Sequence, residues 1–216
     1  MRLDQRIRRT FRPIGKTALA ILRWKRLSFN DTPPLFGNSK PKSGSHLLLQ
    51  VLAGICLAAP YKYVNAEPVR TIAKQGGRNE KEKILRELQK IPRGVIGWGY
   101  VEATPENVAF LCEPGRVNYF IYRDPRDLLV SQVFFATDMY EDHGMHEFYK
   151  SLPDVGARLK VAITGLDQDG LHMVSVKQRY EGVFQWLEQR QVMSIRFEDL
   201  IENRDVTLNA MLDEVE

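Results

Sequence analysis

An α/β fold with a central parallel sheet flanked by helices is what this 216-residue sequence predicts. Two observations carry the prediction. From Leu35 onward, short apolar runs alternate with longer segments of helical periodicity, and no internal repeat or low-complexity tract interrupts them. Strands separated by helices pair in parallel through right-handed crossovers, which puts ligand sites beyond the carboxyl ends of the strands.

The elements follow in order. Arg6 to Leu27 spaces Ile7, Phe11, Ile14, Ala18, Ile21, Leu22 and Trp24 near-helically among basic residues, with an interruption at Pro13-Ile14-Gly15. This reads either as a basic amphipathic helix touching an acidic membrane surface or partner, or as an arm packed on its own domain. Asp31-Thr32-Pro33-Pro34 breaks the pattern and divides an arm, 1–34, from a domain, 35–216. Leu35-Phe36-Gly37 is a short strand ending in a polar turn, Ser45 to Ala59 a buried helix, and Lys81 to Gln89 a charged, exposed helix. Val95-Ile96 and Val117 to Tyr122 are strands, Asp127 to Ala136 and Val174 to Gln189 helices, and Val192 to Phe197 a last strand.

The net charge of +4 is unevenly placed. The arm holds nine basic and two acidic side chains, which leaves the remaining 182 residues at −3. A mildly acidic body argues against nucleic acid as the main partner, but a small anion held by a few placed cations fits it. Cys56 and Cys112 lie beside apolar residues, outside any CxxC or His-rich pattern, and read as reduced buried thiols. The longest apolar stretch, His46 to Pro60, falls short of the ~20 residues that span a bilayer. The Arg-rich start lacks the apolar core of a secretory signal. Together these features point to a cytoplasmic protein.

Two segments carry chemistry. Lys40-Pro41-Lys42-Ser43-Gly44-Ser45-His46 joins a strand to a helix, and such a loop presents backbone N–H groups and a positive dipole end to phosphate. Gly44 permits close approach, Ser43 and Ser45 add hydroxyls, and Lys42 supplies a mobile charge. A Walker A loop needs its lysine after the glycine, and here the lysine comes first. Arg123-Asp124-Pro125-Arg126-Asp127-Leu128-Leu129-Val130-Ser131 follows a strand directly. Pro125 suits a first helical turn, so Arg123 lies at the strand end and Ser131 in the second turn, an arginine fork and a hydroxyl for a phosphate. The alternative for Arg123 is a structural pair with Asp124 or Asp127.

In this order the two segments resemble the PKSGT and R-x-P-R-D-x-x-V-S motifs of sulfotransferases that use 3′-phosphoadenosine 5′-phosphosulfate. Ile195-Arg196-Phe197-Glu198-Asp199-Leu200 is similar to that family's RYEDL strand end, and Tyr180 to Trp186 to the helix upstream of it. The resemblance runs from about Phe36 to about Leu212 and implies a P-loop-NTPase-like three-layer domain. It implies that Lys42 binds the 5′-phosphate and neutralises the bridging oxygen, with Ser43, Gly44, Ser45 and His46 donating. It further implies that Arg123 and Ser131 hold the 3′-phosphate and that Tyr180 packs on the adenine. The implied activity is transfer of a sulfuryl group to a hydroxyl or amine of a small-molecule or glycan acceptor, with no metal.

Three departures accompany the resemblance. The segment Ile96 to Thr104 has no histidine for a general base. Tyr100 stands at its place, but a phenol with an ordinary pKa of about 10 is a poor base near neutrality. Glu102 is the favoured candidate, with Glu67 as the second. Leu47 stands where the family often has tryptophan, and Glu216 is reached before the family's closing RKG motif, so either the sequence is a truncated piece or nucleotide affinity is reduced. His143 and His146 form an HxxH without an evident third ligand. A fold that binds without turnover, or a phosphotransferase on the same scaffold, are the competing readings.

Overall fold

The computed structural model describes residues 15–70, 78–168 and 170–215, and within them the predicted α/β architecture is realised. The strands are β1 (Leu35–Ser39), β2 (Tyr63–Val64), β3 (Val69–Arg70), β4 (Val95–Tyr100), β5 (Val117–Tyr122), β6 (Leu166–Gln168), β7 (Leu171–Met173) and β8 (Met193–Arg196). The helices are α1 (15–24), α2 (Ser45–Ala58), α3 (Arg78–Gln89), α4 (Pro105–Leu111), α5 (Pro125–Phe134), α6 (His146–Ser151), α7 (Val155–Thr164), α8 (Val176–Phe184), α9 (Asp199–Glu202) and α10 (Arg204–Asp213). All strand pairs of the main sheet are parallel, in the order β2-β4-β1-β5-β8, and β3 pairs with β4 beyond β2. The chain leaves β1 toward one edge and later crosses to the other, so the order reverses at β1. The carboxyl end of β1 is therefore the ligand position of such a sheet.

Side chains alternate across the strands. Leu35, Ile96, Tyr119, Ile121 and Ile195 face α2, α9 and α10, whereas Phe36, Val95 and Phe120 face α3, α4 and the end of α8. These are the outer layers of a three-layer domain. A third cluster joins α5, α6, α7 and α8 around Leu128, Val133, Tyr149, Ala162 and Tyr180.

Several element ends differ from expectation for local reasons. β1 continues through Asn38 and Ser39, which are polar but buried, because Asn38 donates to Val101 O (2.8 Å) and accepts from Val101 N–H (2.9 Å). β4 runs on through two glycines to Tyr100. A Cβ at Gly99 would lie 2.0 Å from Val69 O, so glycine is what admits β3 to this edge. The helix expected over Asp127–Ala136 starts at Pro125, capped by Asp124, and after Phe134 widens into a π-helical turn, Phe135–Met139. The helix expected over Val174–Gln189 is the shorter α8, begun by a Ser175–Gln178 capping box and followed by the 3-10 turn Gln185–Glu188.

The basic segment, from residue 15, lies against the domain. Ala20 and Phe29 are buried, Gly94 N–H donates to Thr32 O (3.0 Å), and Arg23 Nη2 donates to Leu57 O at the end of α2 (2.8 Å). The first half of the expected amphipathic helix, up to residue 14, lies outside the described residues.

Candidate functional site

The loop between β1 and α2 is a tight turn. Pro41 occupies its second position, Lys42 its third with φ 72°, and Ser43 N–H closes it on Lys40 O (3.0 Å). That is the pattern of a type II turn, whose third position favours glycine. Lysine there costs on the order of 1 kcal/mol, a strain of the kind that collects at working sites. Ser43 pins the turn from beneath. Its buried hydroxyl accepts from Lys40 N–H (3.0 Å) and shares its proton between Lys40 O (2.7 Å) and Ile121 O (3.2 Å). Both donors of Ser43 are thus engaged within the protein.

Gly44 follows with φ 102° as the residue before α2. A Cβ there would lie 2.4 Å from Phe197 Cδ2 and 3.1 Å from Ile121 Cδ1, so the position excludes any side chain. The first bond that closes α2 is Leu48 N–H to Gly44 O (2.9 Å), and no side chain caps the helix. The N–H groups of Ser45, His46 and Leu47 precede that bond and stand at the positive end of a 14-residue helix. Ser45 is buried and its Oγ accepts from Tyr100 OH (3.2 Å), while His46 is exposed.

Two cations share this end of the sheet. The Lys42 ammonium sits 4.2 Å from the ring centroid of Phe135, the residue that opens the π-helical turn. Burial, and then the charge of Arg123, hold its pKa below the ordinary 10.5. Arg123, just past β5, lays its guanidinium over Phe197 at 4.7 Å, and its Nε is buried without a hydrogen-bond partner. The alternative pairs of Arg123 with Asp124 or Asp127 are not among the ion pairs of the described residues; Asp124 is taken by Arg126 (2.6 Å), and Arg123 lies 3.8 Å from Glu198. Ser131 is half-buried in the second turn of α5.

Tyr180, Glu102 and the histidines lie as follows. Tyr180 is only 3% exposed and belongs to the third core cluster; Lys40 Nζ lies 5.3 Å from its ring centroid, and burial pushes its hydroxyl up to about 12. Its hydroxyl lacks a partner in hydrogen-bond geometry, with Gln132 beside it. A base on that ring therefore needs Lys40 displaced. Glu102, exposed beyond β4, packs on α8, where a Cβ at Gly182 would lie 3.7 Å from its carboxylate, and it attracts Lys40. Glu67 is exposed in the loop between β2 and β3. His143 Nδ1 accepts from Met145 N–H (3.1 Å) and His146 Nδ1 lies 2.9 Å from Ala136 O. Among the described residues no three His, Cys, Asp or Glu are grouped to hold a metal.

Sequence reasoning missed Arg179 and gave no role to Lys40 or Phe197, which it quoted only within motifs, while it put Phe135 among aromatics for an acceptor pocket rather than beside Lys42. Lys40 Nζ donates to Arg179 O (2.9 Å), and Arg179 in turn donates to Gln132 (3.3 Å) and to Ala162 O, tying α8 to α5 and α7. The RFEDL-like stretch signalled Phe197 and the KPKSGSH segment contained Lys40; nothing local marked Arg179.

No protein-family model matches the chain, and comparison with curated proteins gives no match. Among solved structures it is similar to mouse sulfotransferase SULT7A1 complexed with PAP, at TM-score 0.54 and 19% identity over 87% of this chain and 61% of that one. Retinol dehydratase in complex with androsterone and inactive cofactor PAP is a more distant likeness, at TM-score 0.47 and 12% identity over 86% of this chain and 61% of that one. The chain thus spans about 61% of the length of these proteins. The chain has the α/β fold of the mouse sulfotransferase, a central parallel sheet flanked by helices.

Proposed function

We propose that this chain is a sulfotransferase domain that takes a sulfuryl group from 3′-phosphoadenosine 5′-phosphosulfate and passes it to a hydroxyl or amine of a small-molecule or glycan acceptor. The observation that carries the reading is the convergence at the end of β1: three uncapped N–H groups of α2, Lys42, and Arg123, whose buried Nε makes no hydrogen bond and has the Glu198 carboxylate 3.8 Å away. A buried donor without a partner costs about 1–3 kcal/mol, and a phosphate oxygen would satisfy it. The residues present therefore fit a nucleotide with phosphates at both ends. The fold shared with the mouse sulfotransferase supports the same reading.

The donor supplies an activated sulfuryl group; the protein's part is positioning and charge. Lys42 and the N–H groups of Gly44, Ser45 and His46 would hold the 5′ end and stabilise the negative charge that grows on the bridging oxygen. Arg123 and Ser131 would grip the 3′-phosphate, and Tyr180 would meet the adenine once Lys40 moves off its ring. Tyr100 would keep Ser45 in place, and the Glu102 carboxylate would take the acceptor's proton. Residues 35–216 would form this domain, in a reducing, cytoplasmic setting consistent with two free thiols.

The test is transfer of 35S from labelled donor to a panel of alcohols, phenols, amines and glycans, by wild type and by Lys42→Ala and Glu102→Gln. Transfer by wild type, lost in Lys42→Ala and slowed in Glu102→Gln at unchanged bisphosphate affinity, supports the proposal. Bisphosphate binding without transfer to any acceptor would instead favour a fold kept for binding alone.

A further inference from the structure

At the far end of α2 from the phosphate-type loop, a second concavity lies between α1, α2 and β2. From Ser45 to Cys56 is eleven helical steps, about 17 Å along the axis, so it is separate from the site above. Its volume is about 430 Å³, inside the range of about 300–1,000 Å³ usual for small-molecule sites. Two alanines, Ala20 on α1 and Ala53 on α2, are the smallest side chains of its lining. Tyr61 forms part of the wall, and its hydroxyl is buried without a hydrogen-bond partner. Leu19 and Leu57, 67% and 59% exposed, stand at the mouth.

The charge of this cavity is one-sided. Lys16, Arg23 and Lys62 line it, and among the described residues its lining contains no Asp or Glu. Among the described residues the partners of the three cations are uncharged: Lys16 lies 6.0 Å from the Tyr63 ring centroid, Lys62 lies 5.6 Å from that of Phe29, and Arg23 donates to Leu57 O. Residues 1–14 add five arginines and one aspartate to the same end of the chain, so their charge does not complement the cavity. An apolar cavity rimmed by three cations matches a molecule with one apolar chain and one anionic head.

We propose that this cavity binds a single-chain anionic amphiphile, with its chain among the apolar walls and its head between Lys16, Arg23 and Lys62. Burial pushes the Cys56 thiol in the wall up to about 11, so that it stays protonated and apolar. The head group is named only as an anion, since a long-chain carboxylate and a long-chain phosphate share the chemistry; the two are separated by the probes.

The test is calorimetric titration of the full chain with decanoate, decyl phosphate, decan-1-ol and butyrate. One decanoate or decyl phosphate per chain is expected, with decan-1-ol and butyrate at least about tenfold weaker because each lacks one half of the recognition. The tighter of the two anions identifies the head. Lys16→Glu/Arg23→Glu, both exposed positions, should weaken the anion at least about tenfold. Ala53→Trp, also exposed, should abolish binding by filling the cavity. Saturating adenosine 3′,5′-bisphosphate should leave decanoate affinity unchanged. Equal affinity for decanoate and decan-1-ol, insensitivity to the substitutions, displacement by the bisphosphate, or no binding at all would each overturn the proposal. So would binding to anionic vesicles alone, which would make this face a membrane surface.

Discussion

Replacing Gly44 by alanine separates two constraints that meet at one atom. The residue holds φ at 102°, where an L side chain costs about 1–2 kcal/mol. The new methyl would also fall 2.4 Å from Phe197 Cδ2 and 3.1 Å from Ile121 Cδ1, and overpacking of that kind costs about 1–3 kcal/mol. Gly44→Ala should therefore destabilise by about 2–5 kcal/mol in urea denaturation. Phe197→Ala alone removes a half-buried ring and should cost about 2 kcal/mol. In Gly44→Ala/Phe197→Ala the collision with the ring is gone, and of the methyl's costs the backbone conformation and the 3.1 Å approach to Ile121 Cδ1 remain. The double variant should therefore be about 1–3 kcal/mol more stable than the sum of the singles predicts. Because Phe197 also carries the Arg123 guanidinium, Gly44→Ala should weaken bisphosphate binding as well. Additivity within about 0.5 kcal/mol would refute the reasoning, since it would mean that the methyl and the ring never meet.

Two further outcomes follow from the same geometry. Asn38→Ala removes both side-chain bonds to Val101, whose carbonyl also receives Trp186 Nε1–H (2.7 Å), and leaves the Val101 N–H unpaired; a loss of about 2–3 kcal/mol is expected in thermal or urea unfolding, and less than 1 kcal/mol would contradict the role given to Asn38. Lys42 is depressed by burial and by Arg123, so its NMR titration should have a midpoint below 10.5 that rises in Arg123→Ala; bisphosphate affinity, which needs the ammonium, should fall as pH rises through that midpoint, and a midpoint at or above 10.5 would contradict the placement.

How much of this was legible in the sequence depends on how local each cause is. β5 is bounded as read, because five of the six residues from Val117 to Tyr122 are apolar and only Asn118 interrupts them. β1 and β4 were read too short, because Asn38, Ser39, Gly97 and Gly99 look like loop residues. Their reasons for lying in strands are partners far along the chain: Val101 for Asn38, and Val69 for Gly99. The short elements α6, β2 and β3 have too few residues for a period to show. At the candidate site, two motifs put Lys42, Gly44 and Arg123 forward as candidates, and the fold brings Lys42 and Arg123 within electrostatic reach of each other. What could not be read was competition for the same groups. Ser43 spends both donors on the turn, Arg126 rather than Arg123 takes Asp124, and Lys40 covers Tyr180. Each of these depends on which side chain arrives first in three dimensions.

The central claim is that the end of β1 is a cradle for a nucleotide with phosphates at both ends, and calorimetric titration with adenosine 3′,5′-bisphosphate tests it most directly. The account predicts saturable binding of one molecule per chain, with Lys42→Ala and Arg123→Ala each weakening it by about 10- to 150-fold, as loss of a charged hydrogen bond implies. No binding to the folded wild-type chain, or equal binding by wild type and Lys42→Ala, would contradict it.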